Sequence, residues 1–332
     1  MISSSCNKFN KMVYSKGDII RDLKRIGLIK GDHVAVALSY SKIGRVVGGP
    51  KVVLDALLNV VGSEGTIMMN AHTNIFIISE LKRDHIFNFK STPVVTGYVP
   101  ELLRLRDDSI RSKHPTMSVV AYGKYAKYLT DGHDECSNPY IPFFKLSKIN
   151  GKYLAIGLDN RLVAIRHAAQ YKAGLFDIIQ MYGGTLYENR EGLVKTFVQS
   201  YPPCARKLPE QVPMLEKMGI VVISEIGMVK AILAPASSLL SAMTDLLKGR
   251  PESYLCDSVW CIWCREVERE LNLYDRFVNR KYYQKYAIIR TFLSLVNRIR
   301  IKKYRYLRFN GNKNKISSRL LYLYFTFISF IH

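Results

Sequence analysis

No run of apolar residues in this 332-residue chain reaches the roughly 18–20 that cross a bilayer as a helix, so no helical membrane span is expected. Cysteine is scarce, with six in all. The start, Met1-Ile2-Ser3-Ser4-Ser5, lacks the charged opening and apolar run of a secretory signal. Reduced thiols and a cytoplasmic setting are the expectation. Cys261-Ile262-Trp263-Cys264 has CxxC spacing, with Cys256 nearby. A zinc site needs four ligands, and neither a second CxxC nor a paired His follows, so these read as structural thiols and no metal is expected. Internal repeats are also missing. No Gly-Lys-Ser/Thr closes the Gly-rich loop at residues 39–49, which excludes a P-loop, and the Rossmann fingerprint is absent. Acidic residues are lacking in one place above all: residues 276–332 hold 14 Lys and Arg and no Asp or Glu. Most of the net charge of +22 therefore sits in the tail, and residues 1–275 carry +8.

What is present is ordinary for a globular protein: 48% apolar and 23% charged residues exclude a disordered chain, and the length can bury a large core. Ile19, Ile20, Leu23 and Ile26 recur at helical spacing and predict a helix over residues 15–30. His33 to Leu38 is a buried strand, Pro50 to Val61 a helix with proline in its tolerated first turn, and Gly65 to Met69 a second strand. Strand, loop, helix and strand in that order make a βαβ-like unit and argue for an α/β sheet. A helix over Tyr98–Leu105 and strands over Met117–Tyr122 and Lys152–Gly157 follow, with a helix from Val163 and weaker strands at Val194–Tyr201 and Val221–Ile223.

Three segments could carry chemistry. The turn after the first strand presents Ser39, Ser41, Gly44, Gly48 and Gly49 ahead of a helix N-terminus, where backbone amides can approach a phosphate or carbonyl oxygen. Taken alone it is also a plain strand–helix turn. In Arg111 to Ser118, Pro115 fixes the chain beside His114 and holds an imidazole on a loop. His167 and Gln170 stand three apart on a helix and face the same side. An imidazole can take a proton from an attacking amine or hydroxyl, and a carboxylate beside it would stabilise the charged ring. Glutamine supplies a hydrogen bond without charge, so another carboxylate is sought among Asp159, Asp177 and Glu101.

Together these segments resemble the aminoglycoside 3-N-acetyltransferase family over about residues 15–180. The resemblance rests on Gly31-Asp32 with Val36 to Gly49, on Val61-Gly62-Ser63-Glu64-Gly65-Thr66, on Phe87 or Phe89 through Thr92-Pro93 to Gly97, and on Arg111 to Ser118. The family's His-x-x-Glu corresponds to His167 to Gln170. Ala37, Leu38 and Gln170 stand where the family has His, Ser and Glu. The resemblance implies a three-layer αβα sandwich over residues 1–272, with residues 273–332 as a basic helical extension. It further implies an acetyl-CoA-dependent acyltransferase acting directly on an amino group or hydroxyl of a sugar. His167 is the expected base, with Gln170 as its partner and His114 as positioning group or second base. Ser39, Ser41, Gly44, Thr96 and Gly97 are expected around CoA, with Ser118 beside them supporting the His114 loop.

The mild basicity of the body disfavours a polycationic acceptor, and the resemblance, through relatives that act on other amino sugars and in cell-surface polysaccharide assembly, implies such a sugar, free or lipid-linked, as the first expectation. A true aminoglycoside acceptor and a catalytically impaired relative that binds CoA, sugar or a membrane partner are the alternatives. In the tail, Ile289, Phe292, Leu293, Val296 and Ile299 share a helical face beside many cations, which fits an anionic membrane surface. Tyr304-Arg305-Tyr306-Leu307-Arg308 fits RNA less well as a partner, and a solvated extension is the plain reading.

Overall fold

The computed structural model describes residues 13–76, 81–82, 84, 86–158, 162–175, 182–189, 191–200, 204, 207, 211–258, 261, 264 and 267–268. Strand β1 (Val13–Tyr14) leads into α1 (Lys16–Arg25). Its start is a capping box: the Asp18 N–H donates to the Ser15 hydroxyl, and the Ser15 N–H donates to the Asp18 carboxylate. The helix stops short of the predicted residue 30 because Gly27, at φ +107°, turns the chain out of it. Next come β2 (His33–Leu38), α2 (Tyr40–Ile43), β3 (Arg45–Val46), α3 (Pro50–Val61), β4 (Thr66–Asn70), β5 (Ile86–Phe87) and α4 (Tyr98–Arg104). They are followed by β6 (Ser109–Arg111), β7 (Val119–Gly123), α5 (Ala126–Thr130), α6 (Ile141–Lys148), β8 (Lys152–Ile156) and α7 (Val163–Lys172). The remaining elements are β9 (Tyr182–Glu188), β10 (Val194–Ser200), α8 (Val212–Lys217), β11 (Val222–Ile226), β12 (Val229–Pro235) and α9 (Ala236–Gly249).

Seven strands form the main sheet in the order β11-β12-β8-β2-β4-β7-β6. Only β8, β2 and β4 run parallel; the outer strands are antiparallel to their neighbours. Because successive strand residues point to opposite faces, the continuous apolar runs divide between two cores. Val34, Val36, Ile67, Met69, Leu154 and Ile156 pack with Leu23, Val53, Leu57 and Leu103 of α1, α3 and α4. Ala35, Met68, Tyr153 and Ala155 pack on the other face with Leu129, Phe143, Ile165, Leu239 and Met243 of α5, α6, α7 and α9. This is the expected three-layer α/β sandwich. A second sheet, β10-β9-β5, stands apart from it. The expected extension and its boundary after residue 272 lie outside the described residues.

The topology places the separated motifs on one edge. The carboxyl ends of parallel β2, β4 and β8 (Leu38, Asn70 and Ile156) share that edge. Strand β7 runs the other way, with Val119 opposite Asn70, so the β6–β7 connection from Ser112 to Ser118 reaches the same edge. Helix α7 begins there after β8. Strand β2 sends its crossover through α3 to β4 on one side and has β8 on the other, and open α/β sheets bind ligands outside the carboxyl ends at such a switch point.

Candidate active site

The backbone of residues 71–73 continues β4 past its end. Ala71 N–H donates to Ser118 O at 2.8 Å and Thr73 N–H to Thr116 O at 3.1 Å, while Val95 N–H donates to His72 O at 2.9 Å. This loop is held by Arg111, only 8% exposed. Its Nε donates to Ser118 Oγ at 3.1 Å and its Nη2 to Ala71 O at 2.8 Å, and Nη1 donates to Thr92 O. The guanidinium also lies 5.2 Å from the centre of the Phe87 ring. Burial lowers its pKa to about 10, with the Arg104 charge adding to the shift, so it stays cationic near neutrality. The Arg-Ser-x-His-Pro-x-x-Ser segment is therefore a clamp. Ser112 Oγ accepts from Val119 N–H at 2.9 Å and pairs with His133 Nδ1 at 2.9 Å, and Ser118 Oγ donates to Ala71 O at 2.5 Å.

His114 belongs to the same clamp. It is fully buried, and its Nδ1 accepts from the Met117 N–H at 3.0 Å, which fixes the neutral ring with its proton on Nε2. Burial holds its pKa at about 3, with the His72 charge adding to the shift. Its ring lies 4.8 Å from that of His133 and 5.1 Å from that of Phe197. Both of its nitrogens are thus turned away from solvent, Nδ1 toward the backbone and Nε2 buried without a hydrogen-bond partner.

His167 differs. It lies one turn into α7, 4% exposed, and its Nδ1–H donates to Gln170 Oε1 at 2.6 Å. The lone pair is thereby left on Nε2, the tautomer that a general base needs. Gln170 thus sets the ring as a glutamate would, but adds no negative charge. Burial lowers the His167 pKa to about 4; the Gln170 bond opposes that shift and the Arg166 charge adds to it. Of the candidate carboxylates, Glu101 is held by Arg104 (2.6 and 2.8 Å) and the Val94 N–H (3.0 Å), and Asp159 and Asp177 lie outside the described residues.

His72 was not singled out in the sequence. It is half-buried at the carboxyl end of β4, and burial first, then the charges of His167 and Arg111, hold its pKa at about 4. The sequence signal was its place two residues beyond a parallel strand. With His133, also held well below its usual value by burial, four neutral histidines gather behind this edge. All four folded-state values lie below the unfolded one of about 6.5, so unfolding takes up protons. The stability this gives is complete above about pH 6.5 and is lost as pH falls through the folded values, with a slope of up to about 1.4 kcal/mol per pH unit for each ring. Urea midpoints at about pH 7.5, 6 and 5 should fall steeply; a flat profile would contradict neutral burial of the cluster.

The residues expected around CoA divide similarly. Ser41 is exposed on α2, and Ser39 is half-buried with its N–H donated to Ile156 O at 3.0 Å. Gly44, at φ +107°, lies against other residues: a Cβ there would sit 2.9 Å from Tyr14 Cε2 and 3.2 Å from Met228 Sδ. Thr96 Oγ1 donates to Asn70 O at 2.5 Å and ties its loop to β4, leaving Gly97 exposed. Ser118 is fully buried under the loop. Ser39, Ser41, Thr96 and Gly97 thus share the strand-end edge, while Gly44 lies beside Tyr14 and Met228 and Ser118 is buried in the Arg111 clamp.

The sequence profile of the aminoglycoside 3-N-acetyltransferase family matches residues 36–248. The chain belongs to this family. It is 31% identical over 186 residues to aminoglycoside N(3)-acetyltransferase VIII of Streptomyces fradiae, a match covering 48% of this chain and 61% of that protein. It is 30% identical over 195 residues to the SPbeta prophage-derived aminoglycoside N(3')-acetyltransferase-like protein of Bacillus subtilis (strain 168), covering 53% of this chain and 72% of that one. The match thus spans about three fifths of the length of the Streptomyces fradiae family member. Among solved structures, that of AAC-IIIb with CoASH superposes with a TM-score of 0.63 at 22% identity, over 72% of this chain and 98% of that one. The structure of AAC-VIa bound to sisomicin does so with a TM-score of 0.61 at 21% identity, over 72% and 99%. At these identities the superpositions carry the fold of the family to this chain.

Proposed function

We propose that this chain transfers an acetyl group from acetyl-CoA to an amino group of an aminoglycoside, with His167 as general base. The observation that carries the reading is the Nδ1–H bond from His167 to Gln170, which leaves Nε2 unprotonated at the edge where the parallel strands end. Nε2 accepts the proton of the attacking amine as the C–N bond forms. The C–S bond breaks, and the proton leaves with the sulfur of CoA. The loop ahead of α3 fits the phosphates of the donor: Gly48 and Gly49 have φ of +82° and +74°, α3 has no side-chain cap, and Arg45 is exposed. Ser39, Ser41, Thr96 and Gly97 would border the same ligand.

The names of the relatives favour an aminoglycoside acceptor over the surface-polysaccharide sugar that was the first expectation. Residues 276–332 lie outside the described residues, so attachment of a cytoplasmic enzyme to an anionic leaflet rests on their sequence. No helix among the described residues is long and apolar enough to cross a membrane.

The second reading, an impaired relative that only binds, is favoured by the uncharged partner of His167. Thiol release from acetyl-CoA, followed across a panel of aminoglycosides and neutral amino sugars, separates the two. Turnover with aminoglycosides supports transfer; binding with no turnover on any acceptor, by wild type and Gln170→Glu alike, contradicts it. The same variant tests the role of Gln170. With His167 held at about 4, the base form persists through the neutral range and activity falls only near about pH 4. A glutamate would stabilise the imidazolium, so the acid limb of kcat/KM should move toward neutrality in Gln170→Glu. An unmoved limb would show that Gln170 does not orient the base.

A further inference from the structure

The sequence offered three cysteines near one another, Cys256, Cys261 and Cys264, and no fourth ligand. The fold supplies it. Cys204, which follows β10, joins them, and the four Sγ atoms all lie within 4.8 Å of one another. No disulfide links these cysteines. A tetrahedron of thiolates around zinc, with Zn–S of about 2.3 Å, has edges of about 3.8 Å, so the sulfurs need draw in by less than about 1 Å.

Three further observations accompany the cluster. The Cys256 N–H donates to Cys264 Sγ at 3.2 Å, the kind of bond that stabilises a metal-bound thiolate. Lys207 and Asp257 pair at 2.9 Å and fasten the Cys204 segment to the Cys256 segment. Beside the sulfurs lies Arg166, fully buried on α7. Its Nε, Nη1 and Nη2 make no hydrogen bond, and its guanidinium lies 5.6 Å from the centre of the Tyr254 ring. Burial lowers its pKa to about 10, against the opposing influence of nearby Tyr254, Cys204 and Cys264. A buried cation with unanswered donors needs a neighbouring negative charge. Zinc with four thiolates carries a net charge of −2 and supplies it.

We propose that Cys204, Cys256, Cys261 and Cys264 bind one structural zinc ion, with Arg166 as its charge partner. Binding releases the four thiol protons and forms four Zn–S bonds, with no change of oxidation state. The closed set of four ligands makes the site structural. It joins the segment after β10 to the one after α9, and through Arg166 it braces α7 one residue from His167.

The test uses the untagged full chain, purified without chelator, and elemental analysis by mass spectrometry. One zinc per chain is expected, with Cys136→Ser, an exposed cysteine outside the cluster, keeping it. Cys256→Ser and Cys261→Ser should each lose most of the metal. In case these variants do not fold, intact wild type is titrated with a mercurial thiol reagent while zinc is followed with a chromophoric chelator. Release of one zinc for four thiols supports the site. Chains free of zinc, iron in its place, or fewer than six free thiols after denaturation without reductant, as disulfides would give, overturn it. These readouts are independent of acetyl transfer.

Discussion

His167→Ala is expected to lower turnover about 100-fold or more while the KM for acetyl-CoA changes little. On the proposed mechanism the imidazole acts on the acceptor amine, so its loss should fall on kcat, whereas the proposed donor contacts lie on the loop ahead of α3. The ring packs 6.3 Å from that of Tyr140 and is nearly buried, so a loosened core must be separated from a lost base. His114→Ala is the control. His114 is also buried, with its Nδ1 fixed by backbone N–H groups, so this variant should be destabilised but retain kcat at temperatures where it stays folded. If His167→Ala kept wild-type turnover, or His114→Ala lost more kcat than stability, the assignment of the base would be wrong.

Arg111→Met should be the most destabilising single change in the site region. The loss removes charge-assisted bonds to Ala71 O, Thr92 O and Ser118 Oγ from a buried position. A loss of roughly 2–4 kcal/mol follows, since Thr92 O loses its Arg111 donor and Ala71 O keeps only the Ser118 hydroxyl. For a domain of this size, the melting temperature should drop by on the order of 10 °C. Arg111→Lys should rescue little, because one ammonium cannot reproduce three donors aimed in different directions from a planar fork. A thermal scan decides it; a melting temperature within about 1–2 °C of wild type would show that the clamp does not hold the 71–73 loop.

Much of the fold was legible because its central strands are both buried and regular. His33–Leu38 and Pro50–Val61 matched the observed elements residue for residue, and Lys152–Gly157 overran its strand by one residue. What was not read depends on partners distant in sequence. Helix α9, whose Leu239, Leu240, Met243 and Leu247 share one face, was missed, as was β12, whose meaning comes only from pairing with β8. In the site, the His167–Gln170 pair was legible because three residues along a helix are neighbours by geometry. The function of Arg111 was not: its acceptors at residues 71, 92 and 118 meet only after β4, β6 and β7 have paired. Gly44 was legible as a turn glycine, and its φ of +107° requires one, but its neighbours Tyr14 and Met228 come from segments distant in sequence. Cys204 lies 52 residues before Cys256, so no spacing rule could attach it to the CxxC.

The most direct measurement is the mass spectrum of the product formed from acetyl-CoA and an aminoglycoside by wild type and by His167→Ala at equal enzyme concentration. The account predicts a singly N-acetylated aminoglycoside, formed together with one equivalent of CoA thiol, and its near absence with the variant. Thiol released without acetylated product, or product formed equally by both proteins, would contradict it.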